Sequence, residues 1–189
     1  MRNDDNELIE RCRSGDADAF GMLYDANVRR IYDFIYYRTH HRETAEDLAA
    51  DVFLKAFAKI GDFDPKKGTF TAWIYRIARN RVIDHYRSAK GAEDIEDVWD
   101  LLASGDDPAR DADARERLAE VERHMAVLPA AQREVVILRV WDGLSYAEIA
   151  ETTGKSEAAC KMSFSRAVSA LRKNAPLAAM LILLINPLR

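Results

Sequence analysis

Residues 70–87, FTAWIYRIARNRVIDHYR, interleave aromatic rings with arginines at helical spacing. Guanidinium groups attract phosphates, and ring faces stack on unpaired bases whatever their identity. At about 100° per residue, Phe70, Trp73, Ile74, Ile77 and Ala78 form one apolar stripe, while Arg76, Arg79, Asn80, Ile83 and Arg87 gather opposite. Tyr75 and Tyr86 fall on one border of that cationic face and Trp73 near the other. Taken alone, the stretch is either a surface that holds single-stranded nucleic acid or an amphipathic helix with solvated arginines.

A second set of basic residues sits in residues 144–172, which have the grammar of a helix-turn-helix. Ser145 and Glu148 form a capping box for a short helix, Gly154 supplies a tight turn, and Ser156 can cap a second helix. On that second helix Cys160, Phe164, Ala167, Val168 and Leu171 share an inward face. Ala158, Met162, Ser165, Arg166 and Ser169 then face outward with Lys161 on the flank, a surface of small and cationic residues that fits a major groove. A helical hairpin with a polar exterior is the bland alternative. Cys160 reads as a small core residue rather than a redox thiol.

Other chemistries find little support. The two cysteines, Cys12 and Cys160, are far apart, and none of the four histidines stands in ligand-like spacing with them, so neither a disulfide framework nor a metal site is expected. No Gly-rich phosphate loop or ordered carboxylate and histidine set suggests an enzyme, and no cofactor is expected. The N-terminus, MRNDDNELIE, lacks the apolar stretch of a secretory signal, which points to the cytoplasm.

The elements that must position these residues are helical throughout, giving an all-α fold. Helices are expected over residues 5–12, 17–37 and 44–60, the last opened by Thr44 and Asp47, and a loop over 61–68 feeds the arginine-rich helix. A further helix spans 115–128, and Pro129 opens another to residue 141. The net charge of −4 hides a segregation. Residues 64–90 carry seven Lys and Arg against two Asp, residues 155–173 carry five against one Glu, and residues 93–122 between them carry twelve Asp and Glu against three Arg. Two basic modules are therefore joined by an acidic connector, and the second reaches the core of the first only if that connector folds back. The division is 1–91, a linker at 92–114, a second domain at 115–175, and an apolar tail at 176–189. The connector can shield the basic faces or simply be a solvated tether. The tail, PLAAMLILLINPL, is too short to span a membrane and either packs on a module or docks a partner.

Three stretches, AEDLAADVFLKAFAKI from Ala45, the block at Phe70, and LPAAQREVVILRVWDGLSYAEIAETTGKS from Leu128, occur in an order that resembles the extracytoplasmic function (ECF) group of bacterial RNA polymerase sigma factors. The likeness covers residues 7–90 and 118–173. It implies a sigma region 2 domain and a region 4 helix-turn-helix domain on a flexible acidic linker, with no enzymatic activity. It also implies binding to core RNA polymerase, promoter DNA as duplex and as melted single strand, and an anti-sigma factor, with no membrane insertion. By the same resemblance, Asp47, Leu48, Asp51, Leu54 and Lys55 would meet the polymerase. Phe63, Lys66, Lys67, Trp73, Arg76, Arg79 and Asn80 would meet the minus-ten element. Lys161, Met162, Ser165 and Arg166 would read the minus-thirty-five element, although Met162 and Ser163 stand where the group commonly has small polar and basic residues. A stand-alone helix-turn-helix repressor or activator is the rival reading. It leaves the Trp73 and Arg76 face unexplained.

Overall fold

The computed structural model describes residues 2–90, 125 and 128–174, and every regular element within them is helical. A first group holds α1 (Arg2–Arg13), α2 (Ala17–Thr39), α3 (Arg42–Lys59) and α4 (Phe70–Lys90), with a 3₁₀ turn at Ile60–Asp62. A second holds α5 (Ala130–Val140), α6 (Tyr146–Thr153) and α7 (Glu157–Asn174). The expected linker, the apolar tail and, apart from Met125 and Leu128, the helix expected over 115–128 lie outside the described residues.

Helix ends follow local chemistry. The Asp16 carboxylate accepts the amides of Asp18 and Ala19 at 3.0 and 3.2 Å, satisfying donors that have no partner within the first turn of α2. The start of α3 corrects the sequence expectation: its cap is His41, not Thr44. His41 is extended (φ −133°), and its ring Nδ1 accepts the Thr44 amide at 3.2 Å, so an imidazole takes the place of a hydroxyl cap.

Leu23, Ile31, Phe34 and Ile35 of α2 pack with Leu48, Val52, Phe53 and Ala56 of α3 and with Ile74, Ala78 and Val82 of α4. Burying each of the larger side chains contributes about 1.5–3 kcal/mol. Arg38 is fully buried in this core, with its guanidinium 3.6 Å from the centroid of the Phe34 ring and Nη1 donating to the Phe34 carbonyl at 2.7 Å. Burial pulls its pKa down, against the opposing pull of Asp142 and Glu134 from the second group. In the second group Val135, Leu138, Ile149, Cys160, Phe164, Ala167 and Leu171 are buried together. The two groups also meet: α6 lies along α4, and the buried apolar residues of both form one connected cluster.

Candidate nucleic-acid interface

Thr69 opens α4, its hydroxyl accepting the Ala72 amide at 3.1 Å. The face expected to be cationic divides in three. Arg76, Asn80 and Arg87 are exposed. Arg79 turns inward and donates from Nε to the fully buried carboxylate of Glu134 on α5 at 3.0 Å. Tyr75, Ile83 and Tyr86 are buried, so the expectation that the tyrosines border an open face is corrected. The Tyr86 hydroxyl donates to the Arg38 carbonyl at 2.9 Å, and the Tyr75 hydroxyl to Asp142 Oδ1 at 3.2 Å. A single helical wheel missed this because α4 is enclosed from two sides, by α2 and α3 and again by α6.

Ahead of α4, Lys66 and Lys67 are exposed on a loop whose turn is set by Asp64 Oδ1 accepting the Lys66 amide at 3.0 Å. Phe63, expected at the interface, is instead buried, with its ring 6.1 Å from that of Phe70 and 5.5 Å from that of Trp73. Arg13 donates to the Phe63 carbonyl and ties the loop to α1. Trp73 is half-buried. Lys66, Lys67, Trp73, Arg76 and Asn80 thus retain accessible surface on the loop before α4 and along the N-terminal half of the helix.

The helix-turn-helix forms as its spacing predicts. Ser145 and Glu148 make the reciprocal capping box, Gly154 ends α6 at φ 73°, and the Ser156 hydroxyl accepts the Ala159 amide at 3.2 Å ahead of α7. The positive φ explains the glycine, since a Cβ is strained in that conformation. All five expected inward residues of α7 are buried, and Lys161, Met162, Ser165 and Arg166 are all exposed. Lys161 pairs with Glu157 at 2.6 Å. Burial pushes the Cys160 thiol up, which keeps it in the unreactive protonated form.

On α3, Asp47 is exposed, Leu54 is 68% exposed, and Lys55 is half-exposed, whereas Asp51 pairs with Arg81 of α4 and Leu48 is buried. Sequence reasoning missed Phe57, which is 51% exposed one turn beyond Leu54, with its ring edge-on to Phe20 at 4.9 Å. Tyr24 is likewise exposed against Phe53. The signal was available, because three residues on from an outward Leu54 is the same side of the helix.

Burial raises the Asp142 carboxyl to about 6, although the guanidinium of Arg38 and the hydroxyl of Tyr75 pull it back down. The same burial, with Asp142 beside it, raises the Tyr75 phenol. Among the described residues no group of His, Cys, Asp and Glu is placed to hold a metal ion, and no helix is long and apolar enough to cross a membrane.

Residues 23–92 match the family described as Sigma-70 region 2, and residues 118–171 match Sigma-70, region 4. The ECF RNA polymerase sigma factor SigW of Bacillus subtilis is 30% identical over 175 residues, covering 87% of this chain and 93% of that protein. The chain belongs to the ECF RNA polymerase sigma factors. BldN of Streptomyces coelicolor, another ECF sigma factor, is 38% identical over 175 residues, which cover 90% of this chain and 65% of BldN. Among solved structures, CnrH in complex with the cytosolic domain of CnrY superimposes with a TM-score of 0.69 at 28% identity, covering 93% of this chain and 98% of that one. The first helical group therefore carries region 2 of the sigma factor, and the second carries region 4 with its helix-turn-helix. Sigma factors are regulatory, and the stand-alone repressor reading is not favoured.

Proposed function

We propose that this sigma factor divides promoter recognition between the two basic helices and docks on core polymerase through α3. The observation that carries the reading is the placement of Trp73, Arg76 and Asn80. A ring, a cation and an amide retain accessible surface along one face of the N-terminal half of α4, a helix whose opposite side lies in the core. A ring with a neighbouring guanidinium can hold an unpaired base by stacking, with Asn80 available to a base edge and Lys66 and Lys67 to the flanking phosphates. Such capture offsets a melting cost of a few kcal/mol. Phe63 supports the loop from beneath, and Arg79 joins the surface only when it leaves Glu134. Lys161, Met162, Ser165 and Arg166 meet duplex DNA at the minus-thirty-five element, with Met162 giving apolar contact where a further cation would add affinity.

Asp47, Leu54 and Lys55 contact the polymerase, and the exposed Phe57 extends that surface. A leucine and a phenylalanine ringed by charge have the composition of a protein interface. Leu48 underpins this face, and Asp51 orients it through Arg81. The protein acts in the cytoplasm, has no catalytic step of its own, and is regulated by an anti-sigma factor, a partner reading supported by the solved complex of CnrH with the cytosolic domain of CnrY. The test is co-purification with core RNA polymerase followed by transcription from a promoter library. Stable association and initiation at a discrete set of promoters are expected, and failure to bind core overturns the reading. Tight, specific duplex binding by the purified protein alone would instead favour a repressor.

A further inference from the structure

The outward face of α7 runs from its N-terminus through Ala158, Met162, Ser165, Arg166 and Ser169, all exposed and recurring at helical spacing. A helix lying in a major groove reads base edges mainly with its N-terminal residues, which here are Ala158, Lys161 and Met162. Lys161 is drawn to the flank. Its Nζ lies 2.6 Å from Glu157 Oε1 and 5.8 Å from the centroid of the Tyr146 ring on α6, close enough for that ring face to attract the cation. What remains at the centre of the reading end is aliphatic. Met162 is 54% exposed and is the one exposed large apolar side chain among the described residues of α7. Ala158, four residues earlier, adds a methyl group and no side-chain hydrogen-bonding atom.

A single apolar residue on a surface is ordinary in itself. This one occupies the middle of a face otherwise made of Ser, Lys and Arg, on the helix that the fold offers to a duplex. Pressed into the groove, Met162 displaces water from whichever base edge it covers. The hydrogen-bonding edges of guanine, adenine and cytosine would lose that water without gaining a partner, and an unsatisfied polar edge is penalised. Thymine alone presents a C5-methyl group there. The unbranched, polarizable thioether adapts its shape to such a group. We infer that Met162, with Ala158 beside it, reads the C5-methyl group of one thymine in the minus-thirty-five duplex, so that one promoter position is selected by apolar contact rather than by a hydrogen bond. This rests on the assignment of α7 as the helix that meets the minus-thirty-five element.

The test uses a synthetic duplex carrying the promoter from which reconstituted holoenzyme initiates most strongly in the library. Each thymine of its minus-thirty-five element is replaced singly by deoxyuridine, which removes the methyl group and keeps every hydrogen bond. Filter binding at fixed salt then compares the duplexes, since affinity falls steeply with salt. At one position wild-type holoenzyme should bind about three- to fivefold more weakly, the effect expected for one methyl group. Met162→Ala and Met162→Gln should bind the two duplexes alike, and Met162→Leu, which restores an apolar side chain, should recover the discrimination. Because Met162 is exposed, none of these changes takes packing from the core. An element without thymine, or one in which no deoxyuridine separates wild type from Met162→Ala, overturns the inference and leaves the assignment of α7 standing. Indifference of wild-type holoenzyme to scrambling of the whole element overturns that assignment, and the thymine reading with it.

Discussion

The two basic helices, α4 and α7, are built for related tasks but buried in opposite styles. Helix α7 packs on one side only, and all four of its candidate DNA contacts are exposed. Helix α4 is enclosed from two directions, and its arginines are split between solvent, Asp51 of α3 and the fully buried carboxylate of Glu134. The contrast suggests a physical reason. A few cations facing a duplex give weak, salt-sensitive affinity and need no cover. A surface able to stack bases and bind phosphates is attractive to any single strand, and on α4 part of it, Tyr75 and Arg79, is engaged by Asp142 and Glu134 of the second group.

The sharpest way to break this comparison is to disable α4 alone. Trp73→Ala or Arg76→Ala should lower the rate of promoter opening by about 10-fold or more, since stacking contributes about 1–3 kcal/mol per base. Permanganate reactivity of the melted strand reports that loss, and core binding by gel filtration should be unaffected. If opening is untouched, α4 is not the strand trap.

Next in size is the joint between the modules. Glu134→Ala leaves Arg79 without its partner in a half-buried site, which should cost about 1–3 kcal/mol and lower Tm by several degrees. The equivalent loss on α7 should be much smaller, because the Lys161 to Glu157 pair is exposed and exposed pairs contribute about 0–1 kcal/mol. Equal shifts from Glu134→Ala and Glu157→Ala would erase the distinction between a buried and an open helix.

On α7 itself, Arg166→Ala should weaken binding of the holoenzyme to duplex promoters by a few-fold and reduce the salt dependence by about one counterion. A change confined to a single base position would mean that Arg166 reads sequence rather than phosphate.

The smallest effect expected is with pH. The Asp142 carboxyl is raised to about 6 where it faces Tyr75 of α4 and Arg30, Asp33 and Arg38 of α2, whereas unfolding returns it to the ordinary carboxylate range. The folded protein therefore binds the proton more tightly. This group's contribution to folding stability should grow as pH falls below about 7 towards the ordinary carboxylate range and be lost again as pH rises through about 6. The part of the pH dependence of Tm across that range that has this sign should be present in the wild type and absent in Asp142→Asn.

How far the sequence could be read depended on how many neighbours each helix has. For α7, one capping box, one turn glycine and five apolar residues at helical spacing specified the element, its start and both faces, because only one side has to match anything. For α4 the same arithmetic placed Phe70, Ile74 and Ala78 correctly inside. It misplaced Tyr75, Ile83 and Tyr86, whose cover comes from other helices, and Phe63, which lies under the rings of Phe70 and Trp73. The meeting of the modules was beyond pattern reading. It depends on polar pairs such as Arg79 with Glu134 and Thr69 with Glu148, separated by 55 and 79 positions, and neither member of a pair advertises the other. Local caps are legible when the acceptor is of a customary type, as Ser145 is and His41 is not.

The loop that carries Lys66 and Lys67 has one further consequence. Its approach is pinned by the rings of Phe63, Phe70 and Trp73 and by Arg13 on the Phe63 carbonyl, and its turn is set by Asp64. The backbone freedom that a loose loop would surrender on meeting a polyanion, about 1–2 kcal/mol for each residue fixed, has already been lost when the chain folds. The two lysines are therefore presented on a backbone preorganised beside α4. Entropy that would otherwise oppose strand capture belongs to folding instead.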